Sequence, residues 1–204
     1  MDFEDSIKEA AHRADVATRE AMAAYGDETV DYEPVITGGL ATSLRTALNG
    51  QIQDLTWSAH VLKSGTGSGR EETRTGADLL IHVQFDTPRL KYSKGVLVQA
   101  KRVEPAAKMT RDQYKELVDQ CNKMLDITAA SFVFDYAKVG MRCAPASLVI
   151  DSDMRELYSQ CAWTPYRFFL ELFRSPIGDP KITSAKVRDL VVPDKLELKA
   201  SRGL

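Results

Sequence analysis

The chain has no apolar run near the roughly 20 residues that a membrane-spanning helix needs, and its first residues, Met1-Asp2-Phe3-Glu4-Asp5, are acidic where a secretory signal would be basic. A cytoplasmic protein without a membrane partner is expected. Cysteine is scarce: Cys121, Cys143 and Cys161 are odd in number and widely spaced, which argues against a disulfide framework and a CxxC zinc site and leaves buried free thiols. His12, His60 and His82 show no metal-ligand spacing either. Excess positive charge is also missing. Lys and Arg number 27 against 29 Asp and Glu, a net charge of −2, so any affinity for nucleic acid must come from a local patch. The run Ser64-Gly65-Thr66-Gly67-Ser68-Gly69-Arg70 is glycine-rich, but no Gly-Lys-Ser/Thr and no helical pattern follow it. A P-loop is thereby disfavoured, and a hairpin tip near the functional site is expected.

What is present suits one folded domain over residues 1–204: 44% hydrophobic and 27% charged residues, no internal repeat and no linker-like break. A helical region is expected over 1–50, a core over about 51–150, and a helical region with a tail over 151–204. The stretch 75–102 is the most informative. Thr75-Gly76-Ala77-Asp78-Leu79-Leu80-Ile81 and Gly95-Val96-Leu97-Val98-Gln99-Ala100-Lys101-Arg102 are apolar runs that each contain polar groups costly to bury. Alternation puts Gln99 and Lys101 on one strand face, with Val98 and Ala100 on the other, and a hairpin brings Asp78 beside them.

Those residue types suit a hard divalent cation. Asp78 offers an anionic oxygen, Gln99 an amide oxygen and Ala100 a backbone carbonyl. Lys101, charged, is no ligand; its ammonium suits orientation of an attacking water or stabilisation of charge developing on a phosphate. The outline is that of a metal-assisted hydrolase.

At these residues the chain resembles the PD-(D/E)xK nuclease superfamily, in the Mrr-like branch where Gln replaces the acid of the second half-motif. The resemblance covers residues 71 to about 127: Gly-Ala-Asp opens one strand, Gln-Ala-Lys-Arg closes another, and an amphipathic helix follows. Ala77 stands where the proline of the motif would be. The resemblance implies a restriction-endonuclease-like α/β (α+β) fold, a central mixed sheet flanked by helices. It implies Asp78 and Gln99 as metal ligands with the Ala100 carbonyl, Lys101 as catalytic lysine, and Mg²⁺ or Mn²⁺ as cofactor. An additional glutamate is expected, Glu72 first and Glu33 as rival, with Glu71 beside them. The implied activity is phosphodiester hydrolysis of nucleic acid, DNA favoured, in bacterial restriction or anti-phage defence. Without a sequence-reading module, activation by a partner protein or homo-oligomerisation is expected. The alternatives are a catalytically inactive nucleic-acid-binding or scaffold subunit on the same fold, and an RNase.

A basic run, Arg89, Lys91, Lys94, Lys101, Arg102, Lys108, Arg111 and Lys115, brackets the motif. Lys94, Arg102, Lys108 and Arg111 are the candidate phosphate contacts. His82 shares the Asp78 face by alternation and reads as a satisfied core histidine. Elsewhere, periodicity predicts an alanine-striped helix over 3 to about 24, a helix after Thr37 ending at Asn49-Gly50, and a strand through Leu55, Trp57, Ala59 and Val61. It further predicts a helix from about 110 to 127 covering the sheet, with Gln113 and Gln120 on one face, then strands over 131–137 and 140 or 141 to 150. Asp151-Ser152 and Thr164-Pro165 read as helix caps, and 187–198 as a weak strand or ordered tail.

Overall fold

The computed structural model describes residues 3–27, 32–63 and 74–202. Glu71, Glu72 and the glycine-rich run 64–70 lie outside the described residues. Within them seven strands form one mixed sheet: β1 (Gly50–Ile52), β2 (Leu55–Lys63), β3 (Leu79–Asp86), β4 (Lys91–Lys101), β5 (Ser131–Ala137), β6 (Gly140–Pro145) and β7 (Asp194–Ser201). Their order is β1-β2-β7-β3-β4-β5-β6, with β7–β3 and β4–β5 parallel and the other neighbours antiparallel. The fold is mixed α/β, with helices on both faces of the sheet.

Alternation divides the strands between two cores. Leu79, Ile81 and Val83 of β3, with Val96, Val98 and Ala100 of β4, face α1 (Phe3–Gly26), α2 (Glu33–Ala47) and the aromatic helix α6 (Pro165–Arg174). Leu80, Leu97 and Val133 face the other way, onto Leu117, Cys121 and Met124 of α3 (Arg111–Ile127) and onto the short helices α4 (Ala146–Ile150), α5 (Leu157–Gln160) and α7 (Ser184–Asp189). The alanine stripe of α1, Ala10, Ala11, Ala14 and Ala17, lets that helix lie close in the first core. All three cysteines are free and buried, as expected.

Several boundaries differ from the pattern in the sequence. Helix α2 starts at Glu33 with Pro34 in its first turn, so Thr37 is inside it, bonding the Glu33 carbonyl at 3.1 Å and the Tyr136 hydroxyl at 3.2 Å. Strand β6 stops at Pro145, which has no N–H to continue a ladder, and Ala146 and Val149 then bury at helical spacing. Asp151 closes α4 instead of opening a helix, its N–H reaching the Ser147 carbonyl. Thr164 is the cap that was expected, accepting from the Arg167 N–H ahead of Pro165. The segment read as 187–198 divides into α7 and β7, and β7 sits between β2 and β3, well inside the sheet. Leu196, Leu198 and Ala200 fill the first core while Glu197 and Lys199 point to the opposite face, where α3 packs on β4 and β5 rather than on β7.

Lys94 is 3% exposed, not a surface cation. Its Nζ donates to the Ile177 carbonyl and lies 4.6 Å from the centre of the Tyr92 ring, while the Tyr92 hydroxyl donates to the Phe173 carbonyl at 2.8 Å. The two side chains pin the chain beyond α6 onto the sheet. Burial lowers the Lys94 pKa from 10.5 to about 7. Between those values the unfolded chain holds a proton that the folded one lacks, so stability climbs as pH rises above 7. Urea unfolding at pH 7, 8 and 9 should show a gain of at most about 1.4 kcal/mol per pH unit from this residue, and Lys94→Met should flatten that rise.

Candidate functional site

The polar groups of the motif gather at the sheet end where β3 begins and β4 finishes. Thr75 steers the approach, donating to the Val191 carbonyl at 3.1 Å and accepting from the Ala77 N–H at 3.3 Å. Gly76 then takes φ +71°, and a Cβ there would strike the Gln120 carbonyl of α3. Ala77 is buried in the second core. Asp78 follows with its backbone tied on both sides, donating to the Val98 carbonyl at 2.9 Å and accepting from Asp194 N–H at 3.2 Å. The glycine in Gly-Ala-Asp thus has a physical cause: it lets the turn press against α3 and aims the aspartate back over β4.

Asp78 Oδ2 accepts from the Ala100 N–H at 2.7 Å and from Gln99 Nε2 at 2.6 Å. The same Nε2 donates to the Ala100 carbonyl at 2.9 Å. The aspartate, the amide and the carbonyl therefore converge. Gln99 is fully buried, and among the described residues its Oε1 has no hydrogen-bond partner. A half-turn of the amide would exchange its ends and bring a third oxygen against the carboxylate and the carbonyl. Three oxygens repel unless a cation lies among them, so the donor set fits a hard divalent ion. Among the described residues no three His, Cys, Asp or Glu side chains are grouped to hold a metal, so this set of carboxylate, amide and carbonyl is the one to test.

Lys101, on the Gln99 face, is half-buried and lines a cleft of about 420 Å³ with Glu33, Arg102, Glu104, Lys108 and Gln113. Among the described residues no carboxylate lies in ion-pair range of its Nζ. Its charge is felt by Cys121 on α3, where it partly offsets the burial that pushes the thiol up to about 12. Glu104 is held at the rim by the Tyr25 hydroxyl at 3.0 Å and the Lys138 N–H at 3.1 Å. Glu33, the rival glutamate, lies at the start of α2 on this cleft. Burial drives the Tyr136 hydroxyl pKa far up, and the nearby Asp78, Glu33 and Asp194 carboxylates add to the rise. A larger groove, about 640 Å³, runs between α1 and α2 past Glu9, His12 and Thr46, but it contains none of these strand-end groups.

The basic run divides in space. Arg102, which stacks toward the Tyr25 ring at 5.6 Å, and Lys108, which pairs with Glu156, line the cleft, and Arg111 is exposed on the first turn of α3. Lys94 is corrected: buried and bonded to Ile177, it is not a phosphate contact. Arg89 and Lys91 lie at the opposite end of the β3–β4 hairpin, where Lys91 pairs with Asp86 at 3.7 Å. An eleven-residue strand separates them from the motif by roughly 33 Å. Gln113 caps α3, accepting from the Thr110 N–H at 2.8 Å, and Gln120 is buried beside the Gly76 turn. His82 is the satisfied core histidine expected: 2% exposed, bonded to the Ser93 hydroxyl at 2.8 Å, its pKa lowered to about 4 by burial.

Two buried acids at this sheet end were not singled out from the sequence. Asp135 lies opposite Lys101 on β5, fully buried, and burial raises its pKa to about 7. Asp194 is also raised by burial, with Lys63 opposing. The apolar run Ser131-Phe132-Val133-Phe134-Asp135-Tyr136-Ala137 carries for Asp135 the same signal that marked Asp78. Compared with protein-family models, curated proteins and solved structures, the chain matches none.

Gly76→Ala should destabilise the protein by roughly 2 kcal/mol or more, because backbone strain adds to the collision with α3. Gly140→Ala is the control: φ there is +131° but the space is open. Unfolding free energies from urea titration of the two variants should differ by more than about 1 kcal/mol; equal losses would mean that the turn does not depend on this close approach.

Proposed function

We propose that the chain is a metal-dependent nuclease on a restriction-endonuclease-like fold, hydrolysing phosphodiester bonds of nucleic acid with DNA favoured. The convergence of Asp78, Gln99 and the Ala100 carbonyl, with an amide oxygen that has no hydrogen-bond partner among the described residues, is the observation that carries this reading. The Gly-Ala-Asp and Gln-Ala-Lys elements, in that order around a hairpin, add the resemblance to the PD-(D/E)xK superfamily.

In this reading Asp78, Gln99 and the Ala100 carbonyl hold Mg²⁺ or Mn²⁺. Such an ion, when bound, supplies Lewis acidity toward a scissile phosphate and makes water easier to deprotonate. Lys101, on the cleft side of the strand, orients the attacking water and offsets charge that develops on the phosphate. Glu33 compensates for the negative charge lost where Gln99 replaces an acid, a role it shares as candidate with Glu72. Arg102, Lys108 and Arg111 contact flanking phosphates. In-line displacement leaves a 3′-hydroxyl and a 5′-phosphate. A role as a cytoplasmic effector of restriction or anti-phage defence, switched on by a partner protein or by self-association, follows from the same resemblance.

One observation favours a second reading. The Gln99 amide turns its N–H to the Asp78 carboxylate, an orientation in which it offers that carboxylate's side no ligand oxygen, which suits a non-catalytic nucleic-acid-binding or scaffold subunit. The two separate in one experiment: supercoiled plasmid and labelled RNA, offered together, with Mg²⁺, Mn²⁺ or EDTA. Metal-dependent nicking is expected, with Asp78→Ala and Lys101→Ala each lowering kcat/KM by about 100-fold or more while remaining folded. Binding without nicking supports the scaffold, RNA cleavage alone makes the protein an RNase, and wild-type rates in either variant overturn the site.

A further inference from the structure

The last ladder pair between β4 and β5 is Lys101 with Asp135, although β5 runs on to Ala137. Upstream, Leu97 N–H bonds the Ala130 carbonyl, and a parallel ladder repeats every second residue. The next donors in that series are at positions 99, 101 and 103. Val103 breaks the series: its N–H goes to Asp135 Oδ1 at 2.8 Å, a side-chain oxygen in place of a main-chain carbonyl. The interposed side chain ends the strand there. Lys101, Arg102, Val103 and Glu104 then form one wall of the cleft, with Val103 rooted in the second core and Glu104 tied to Tyr25 and Lys138.

Asp135 also refrains from an obvious alternative. Its register neighbours are Lys101 on β4 and Arg142 on β6, both cations, and side chains opposite one another in a sheet share a face. Yet Oδ2 is buried with no hydrogen-bond partner among the described residues, and the Arg142 guanidinium lies 4.5 Å from the centre of the Tyr158 ring. Turned toward Val103, the carboxyl leaves the Lys101 ammonium uncaptured, facing the cleft.

Resting on the nuclease reading, we propose that Asp135 is a positioning residue for the reaction: by holding the Val103 amide it directs the end of β4 so that Lys101 meets the substrate. The group that acts is the acceptor oxygen, which an asparagine also has. Its unusual setting agrees, since burial and the nearby Glu104 and Glu33 carboxylates favour the neutral carboxyl, and a neutral carboxyl still accepts from Val103.

The test uses the full chain as wild type, Asp135→Asn and Asp135→Ala, each checked by thermal melting. Hydrogen exchange at the Val103 amide is followed by NMR, and kcat and KM are measured on labelled DNA with Mg²⁺. Asp135→Asn should keep Val103 protected and kcat within about threefold of wild type. Asp135→Ala should expose Val103 at least tenfold and lower kcat about 30-fold or more, with KM shifted far less, the signature of a misplaced catalytic group. If Asp135→Ala does not fold, Asp135→Ser, polar but too short to span the gap, takes its place with the same expectations. Protection or kcat that survives the alanine or serine change overturns the proposal, as does an asparagine variant damaged as badly as the alanine one. A wild-type chain that cleaves nothing overturns the nuclease reading instead, and the exchange data then still decide whether Asp135 sets the path of β4.

Discussion

Where the β3–β4 ladder runs out, the Asp78 carboxylate takes the place of the missing strand partner. It accepts the Ala100 N–H that no further β3 residue could receive, and in the same stroke fixes the Gln99 amide. A half-buried carboxylate that accepts two N–H groups is held in place where an unpaired one would turn out to water. Everything proposed for the site follows from that substitution of side chain for main chain. It puts the Gln99 amide within hydrogen-bond reach of both the Asp78 carboxylate and the Ala100 carbonyl, and it leaves the next residue on that face, Lys101, lining the cleft.

Asp135 repeats the device one strand over. There too a carboxylate caps a ladder that has run out of backbone partners. The two differ in their surroundings. Asp78 Oδ2 accepts from both Gln99 and Ala100, whereas among the described residues Asp135 accepts from Val103 alone, leaves one oxygen without a hydrogen-bond partner and has other carboxylates nearby, so burial dominates. Sheet ends are natural places for such groups, because the strand termini supply unpaired amides at fixed positions while the core behind excludes water.

The sequence allowed the Asp78, Gln99 and Ala100 cluster to be anticipated because the relation is local: a hairpin and a two-residue period are enough to bring the three together. The strand through Leu55 to Val61, helix α3 and the Thr164-Pro165 cap were legible for the same reason. Partners set by long-range pairing were not. Asp135 meets Val103 across a parallel ladder, and nothing in either segment names the other. Lys94 looked like its basic neighbours along the chain, and only the path of 175–182 over the sheet makes it a buried pin. The segment 187–198 read only as a weak strand or ordered tail, because its place between β2 and β3 is set by pairing with residues far away along the chain.

That placement of β7 has a consequence for how the chain folds. Residues 55–63 and 79–86 are close in sequence, but they never pair directly; both wait for residues 194–201. Until that late segment arrives, two partial sheets face each other with bare inner edges, a state inclined toward wrong pairing and slow to resolve. The final strand therefore works as a keystone, and the protein's exposure to aggregation is concentrated in the interval before it is set.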